Sequence, residues 1–284
     1  MHGHSAAFFH AVAHTPDHRQ RFCLWHAPQQ PAAAVVIYAH PFAEEMNKAR
    51  RMAALQSQAL VGAGCAVLQL DLLGCGDSAG DFGDATWDAW VDDIVAACAT
   101  AHDRHAQAWP EAPRPKLWLW GLRAGCLLAS AAAARMAEPC NFLFWQSSAS
   151  GKPVLQQFLR LKVAASLGQA DTRAVSEQLR VDMAAQRVVD VAGYRLAPPL
   201  ATGLGQAQLD PPAAFARVIW IEITSRAEAE LLPVSRSIIA RWQAAGHTVE
   251  EHVVAGPSFW STVEIEDAPQ LVAVSTQRLV AALA

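Results

Sequence analysis

Short runs of branched and aromatic apolar residues alternate along the chain with longer stretches in which apolar positions recur every three or four residues. Runs of the first kind read as buried strands and stretches of the second kind as amphipathic helices. Ala34-Val35-Val36-Ile37-Tyr38-Ala39 predicts the first strong strand. A helix follows from about Glu45 to Val61, and Gly62 and Gly64 stop it. Cys65 to Leu70 predicts a second strand, after which a loop rich in glycine and aspartate covers Asp71 to Asp84. Thr86 or Asp84 is placed to cap a helix running through about His105. Lys116 to Trp120 predicts a third strand, which runs into Gly121 and an alanine-rich helix from about Arg123 to Ala137. Asn141 to Trp145 is a fourth.

The alternation then breaks. Between Ser147 and about Pro212 no strong buried strand appears, although Leu155, Phe158, Leu159 and Leu161 have helical spacing and Val188 to Leu196 could form a short hairpin. The strand–helix pattern returns with Arg217 to Ile223, a helix near Pro233 to Ala245, a strand at about Thr248 to Val254 and a helix from about Ala268 to Ala284. Strands alternating with helices predict a mostly parallel central sheet with helices on both faces. The chain therefore divides into a core, residues 1–146 and 213–284, and an inserted cap, residues 147–212.

Composition narrows the class. The chain has 284 residues, 52% of them hydrophobic and 17% charged, with a formal net charge of −4. That excludes a disordered chain, and the mild acidity argues against a nucleic-acid binder. The longest uncharged helical stretch, Ala124 to Ala134, is far short of the ~20 residues needed to span a bilayer. Six cysteines, at positions 23, 65, 75, 98, 126 and 140, include no CxxC pair and read as reduced thiols of a cytoplasmic protein. The start of the chain has no basic segment leading into an apolar one, so no signal peptide is expected. His2, His4, His10 and His14 suggest a metal by composition alone, without ligand spacing and near a terminus expected to be loose. No metal site and no cofactor are assigned.

Two local features carry chemistry. In Trp118-Leu119-Trp120-Gly121-Leu122-Arg123-Ala124-Gly125 a strand enters a helix through the Gly-x-X-x-Gly frame of a nucleophile elbow. Asp71-Leu72-Leu73-Gly74-Cys75-Gly76-Asp77-Ser78-Ala79-Gly80 has the D-x-x-G-x-G-x-S form of a loop that follows the preceding strand in hydrolases. In this order and spacing, the elements resemble the α/β-hydrolase superfamily. The segment His40-Pro41-Phe42-Ala43-Glu44-Glu45-Met46-Asn47-Lys48, followed by Arg50 and Arg51, resembles the exosortase A system-associated hydrolases of the second type. Those are bacterial proteins encoded beside exopolysaccharide and PEP-CTERM protein-sorting genes. Trp120-Gly121-Leu122-Arg123, Gln156-Gln157-Phe158-Leu159-Arg160 and Phe259-Trp260 extend the resemblance over nearly the whole chain. It implies an α/β-hydrolase fold and that cellular setting more firmly than it implies a reaction.

An acyl-ester hydrolase needs a nucleophile at the elbow, a histidine base and a carboxylate to orient it. The nucleophile position holds Arg123, which stays protonated and cannot attack. After the strand ending near Ile223, where the acid is expected, the loop reads Thr224-Ser225-Arg226-Ala227-Glu228, with Glu230 beyond. After the last strand, where the base is expected, it reads Ala255-Gly256-Pro257-Ser258-Phe259-Trp260, without histidine. The elbow still feeds a helix N-terminus, which favours anions. Ala124 N–H and Phe42 N–H stand at the oxyanion-hole positions of related folds. With Arg123 they either form an anion pocket, or Arg123 pairs with Glu44 or Glu45 and plugs the site.

The remaining candidates carry a bland reading beside the chemical one. His40 could face the pocket as a base or fix the oxyanion loop. Cys75 could be a thiol nucleophile or a small turn residue; Cys126 reads as core. Asp77 and Ser78 read as loop ties. Ser147 and Ser148 border the pocket, and Trp145 and Trp260 could line it. Glu264 and Glu266 could act as base toward water or neutralise Arg123. Two functions follow. One is an ester or thioester hydrolase, or an acyl or glycosyl-ester transferase, with an unorthodox site. The other is a non-catalytic protein that holds a small acidic metabolite or a partner through Arg123.

Overall fold

The computed structural model describes residues 3–166, 171–226 and 230–284. Among them an eight-stranded sheet runs in the order β1 (His4–Ala11), β2 (Gln20–Ala27), β4 (Cys65–Leu70), β3 (Ala34–Ala39), β5 (Lys116–Leu122), β6 (Asn141–Trp145), β9 (Arg217–Thr224) and β10 (Thr248–Ala255). The β1–β2 and β2–β4 pairings are antiparallel; the pairings from β4 through β3, β5, β6 and β9 to β10 are parallel. The central strands are buried on both faces, which is why they read as unbroken apolar runs. Their period of two sorts side chains into two cores. Val35, Ile37, Leu117 and Leu119 pack on one face with α2 (Trp87–Ala108), α3 (Ala124–Arg135) and Trp242 of α7 (Pro233–Ala244). Val36, Tyr38, Trp118 and Trp120 pack on the other with α1 (Glu44–Gly62) and α8 (Pro269–Ala281). Six tryptophans, Trp90, Trp118, Trp120, Trp145, Trp220 and Trp242, are fully buried and fill these cores. Helix α2 begins where its cap residue allows, with Thr86 Oγ1 accepting from Ala89 N–H at 3.0 Å.

The antiparallel hairpin β1–β2 was not foreseen. The segment around His4 and His10 is a paired strand rather than a loose terminus. Its anchor is polar, which a hydrophobic pattern does not register. Arg21, fully buried, donates from Nε to Asp93 Oδ1 of α2 at 2.7 Å. Asp93 also accepts from Leu73 N–H at 2.9 Å and pairs with His14 Nε2 at 2.8 Å. A buried carboxylate with this many partners is satisfied and ties the hairpin, α2 and the Asp71 loop together.

Between β6 and β9 lie α4 (Gly151–Ala165), α5 (Thr172–Ala184), a small hairpin of β7 (Val189–Val191) and β8 (Tyr194–Leu196), and α6 (Pro198–Gln206). This insert packs over the carboxyl ends of the strands through an aromatic chain. Phe42 meets Phe158 of α4 at 5.1 Å between ring centroids, Phe158 meets Tyr194 at 5.9 Å, and Tyr194 meets Phe82 at 4.9 Å.

Candidate functional site

Strand β5 ends at Leu122, and α3 starts at Ala124, so the whole change of direction falls on Arg123. Its backbone sits at φ 56°, ψ −116°, a region that a side chain rarely occupies. The turn is possible because both flanking positions are glycine. A Cβ at Gly121 would stand 2.6 Å from the backbone nitrogen of Cys126, and one at Gly125 would run into the carbonyl oxygen of Ala39. The helix thus packs directly on the end of β3. Arg123 N–H donates to Trp145 O at 3.0 Å, locking the turn to β6. A second strained residue lies beside it: Ala43, at the start of α1, has φ 51°, ψ −123°. A third, Gln146 at φ 43°, follows β6, and its Oε1 accepts from Ile223 N–H at 2.8 Å. Strain gathered at the carboxyl ends of three neighbouring strands marks the place where sites form in open α/β sheets.

The Arg123 guanidinium is partnered. Nε and Nη2 each lie 3.4 Å from Glu45 Oε1, and Nη2 donates to Gln157 Oε1 of α4 at 2.9 Å. Its Cζ stands 5.8 Å from the ring centre of buried Trp260. The space left between Phe42, Glu44, Glu45, Val154, Gln157 and Phe158 is only about 10 Å³. One of the two open readings of Arg123 is therefore the arrangement observed: it pairs with Glu45, and the cap closes over it. Glu45 is the perturbed group. Burial pushes its carboxyl up to about 7 against the pull of Arg123, with neighbouring Glu44 raising it further. Its Oε2 is buried without a partner, as is Oε2 of Glu44, whose carboxyl burial also raises. Ala124 opens α3, so its N–H is among the donors that helix geometry leaves without an intrahelical partner.

The other predicted residues fall into separate groups. His40 is buried; its Nδ1–H donates to Pro41 O at 2.8 Å, and Nε2 has no partner. Burial lowers its pKa and keeps it neutral. The ring lines a different cavity, of about 20 Å³, with Tyr38, Arg50 and Asp71. Cys75 is buried in its turn, and burial raises its thiol far above the ordinary range. Among the described residues, neither a thiol nor a carboxylate is hydrogen-bonded to His40. Ser78 Oγ donates to Asp71 O and accepts from Phe22 N–H, while Asp77 N–H donates to Asp71 Oδ2 at 3.0 Å. Ser78 holds the glycine loop to β2, and Asp77 closes the loop on its own first residue. Ser147 and Ser148 have buried hydroxyls; that of Ser147 interacts with the Cys126 thiol, and that of Ser148 has no partner among the described residues. Glu264 and Glu266 are exposed and make no ion pair with Arg123. Glu230 is exposed and pairs with Arg236 at 2.9 Å, and Glu228 lies outside the described residues.

Three side chains around the carboxyl ends of the strands, one of them on α4, carry no signal in the sequence. Gln157 sits within a motif noted only for its resemblance, and its contact with Arg123 depends on how the cap folds. Gln146 ends β6. Glu222 is a buried carboxylate on β9 that accepts from Leu232 N–H at 2.9 Å and Trp220 Nε1–H at 3.4 Å. It was hidden within an apolar strand.

An elbow between β5 and α3, set in this sheet order, defines an α/β-hydrolase fold. Residues 30–200 match the family model of the serine aminopeptidases, S33 (Hydrolase_4), and the chain belongs to that family. Solved esterases share the architecture. Est1E from Butyrivibrio proteoclasticus, with ferulic acid bound, superposes with a TM-score of 0.60 at 14% identity, over 92% of this chain and 95% of that one. A thermostable carboxyl esterase from Bacillus coagulans gives 0.60 at 12% identity, over 100% and 98%. Carboxyl esterase 2 from Tuber melanosporum gives 0.58 at 14%, over 99% and 88%. A search of curated proteins found no match. Among the described residues, no helix is long and apolar enough to cross a membrane.

Proposed function

We propose that this S33-family chain is a non-hydrolytic binding protein that uses its elbow to hold a small acidic metabolite. In this reading it is a cytoplasmic member of the exosortase A system-associated hydrolases, serving exopolysaccharide assembly and PEP-CTERM protein sorting. The supporting observation is Arg123 at the strained elbow position, engaged by Glu45 and Gln157. A permanent cation at the mouth of an oxyanion hole suits a carboxylate better than a nucleophilic attack. The ligand displaces Glu45 and Gln157, so α4 must lift. Because Glu45 titrates near 7, protonating it removes the internal competitor for Arg123. Succinate binding, followed by calorimetry, should tighten by up to about tenfold between pH 8 and pH 6 and be lost in Arg123→Ala. Binding that ignores pH, or that survives Arg123→Ala, counts against the proposal.

One observation favours a second reading, an ester or thioester hydrolase or acyltransferase. Glu45 is a buried carboxylate in the catalytic pKa range, with a free oxygen, and it lines the same small cavity as Phe42. Short 4-nitrophenyl esters and acyl thioesters decide between them. On the binding reading, turnover equals that of buffer. Turnover rising with pH through about 7 and abolished by Glu45→Gln establishes the hydrolase instead.

A further inference from the structure

Helix α4 has two working faces. Val154, Gln157 and Phe158 face the elbow. Lys152, Leu155, Gln156, Leu159, Arg160 and Val163 fall on the opposite side, at the spacing that keeps them on one stripe. They form one wall of an open groove of about 490 Å³, and Leu179, Arg180 and Met183 of α5 form the other. The groove is separate from the elbow and shares no lining residue with it.

Its chemistry is two-fold. The apolar part of the walls is leucine, valine and methionine, with Met183 the side chain most able to mould to an alkyl chain. There is no aromatic side chain of the kind that anchors protein interfaces. The rim is cationic. Lys152 and Arg160 are exposed and have no ion-pair partner among the described residues, while Arg180 is neutralised by Glu177. The charge of the insert is opposite to that of the protein. Residues 151–206 carry seven lysines and arginines against four aspartates and glutamates, in a chain whose net charge is −4.

We propose that this groove binds a free single-chain amphiphile: an alkyl chain lying between α4 and α5, its anionic head group held by Lys152 and Arg160. An apolar groove rimmed by unpaired cations pairs each half of such a molecule with its complement, burying methylenes while keeping the head group charged. The site stands whether or not the elbow binds carboxylates.

The probe is dodecanoate, below its micelle concentration, titrated into the full chain by calorimetry. The expected result is saturable one-to-one binding that excess succinate, which lacks the chain, does not displace. Dodecyltrimethylammonium should bind at least about tenfold more weakly, because only the head group changes sign. The exposed double variant Lys152→Glu/Arg160→Glu should weaken dodecanoate by about tenfold or more with an unchanged melting temperature. Leu159→Gln, on a partly buried wall, should weaken dodecanoate and dodecyltrimethylammonium alike. The proposal is overturned by absence of saturable binding, by equal affinity for the two head groups, by displacement with succinate, or by indifference to the double variant. It is also overturned if phosphatidylglycerol vesicles bind and monomeric dodecanoate does not, since the patch would then be a membrane-docking surface.

Discussion

Replacing Glu45 with glutamine should stabilise the protein at alkaline pH and leave it unchanged at acid pH. The carboxyl titrates at about 7 in the folded chain against an ordinary 4.5, chiefly because it is buried. Below pH 4.5 both folded and unfolded chains carry it protonated, and it costs nothing. Between 4.5 and 7 the unfolded chain releases the proton while the folded chain keeps it, so stability falls as pH rises. Above 7 both are ionised and the penalty is constant. At about 1.36 kcal/mol per pH unit, the interval from 4.5 to about 7 amounts to about 3 kcal/mol. Glutamine has the same shape, needs no ionisation and still offers Arg123 an amide oxygen. The charge lost from the Arg123 pair opposes the gain but is already included in the value near 7. Urea unfolding of both proteins from pH 4.5 to 8.5 measures the difference. It should be near zero at the acid end and grow to roughly 2–3 kcal/mol in favour of the variant by pH 8. A variant less stable than the parent at pH 8, or a difference independent of pH, would refute the picture of Glu45 as a carboxylate held at a cost by the closed cap.

Other substitutions test the frame around the site. Gly125→Ala should lower stability by about 3 kcal/mol or more, or prevent folding, because the new methyl meets the Ala39 carbonyl; a soluble variant melting within about 2 °C of the parent contradicts that packing. Asp93→Asn leaves Arg21 buried without its counter-charge and should cost about 3–5 kcal/mol by urea denaturation, against less than 1 if the hairpin is held by its apolar contacts. All six cysteines are buried, and burial pushes Cys23, Cys65, Cys126 and Cys140 up to about 12. Ellman's reagent should therefore find almost no reactive thiol until the chain unfolds, and rapid native labelling of Cys75 would revive it as a nucleophile.

The parts of the fold that the sequence made legible are those in which periodicity and burial coincide. Val35 and Ile37 against Val36 and Tyr38 announce a strand buried on both faces, and helices α1, α2, α3, α7 and α8 lie within a few residues of their expected ends. The hairpin β1–β2 was not legible. Its strands are half exposed and fastened by the Arg21–Asp93 pair, whose members are far apart in sequence.

At the site, the sequence by itself determined the local geometry and the local chemistry. Glycines at 121 and 125 allow the close packing that a tight strand-to-helix turn requires, and the residue at its apex is a cation. It also named Glu44 and Glu45 as the carboxylates in reach. Only the tertiary structure decided which of them Arg123 takes, that Gln157 joins them, and that His40 and Cys75 do not meet. The physical reason is distance along the chain. Arg123 lies 78 residues from Glu45 and 34 from Gln157, and no helical or strand period operates over such separations. The packing of α1 and α4 against the sheet sets these contacts. It also sets how deeply Glu45 is buried, and therefore where its carboxyl titrates.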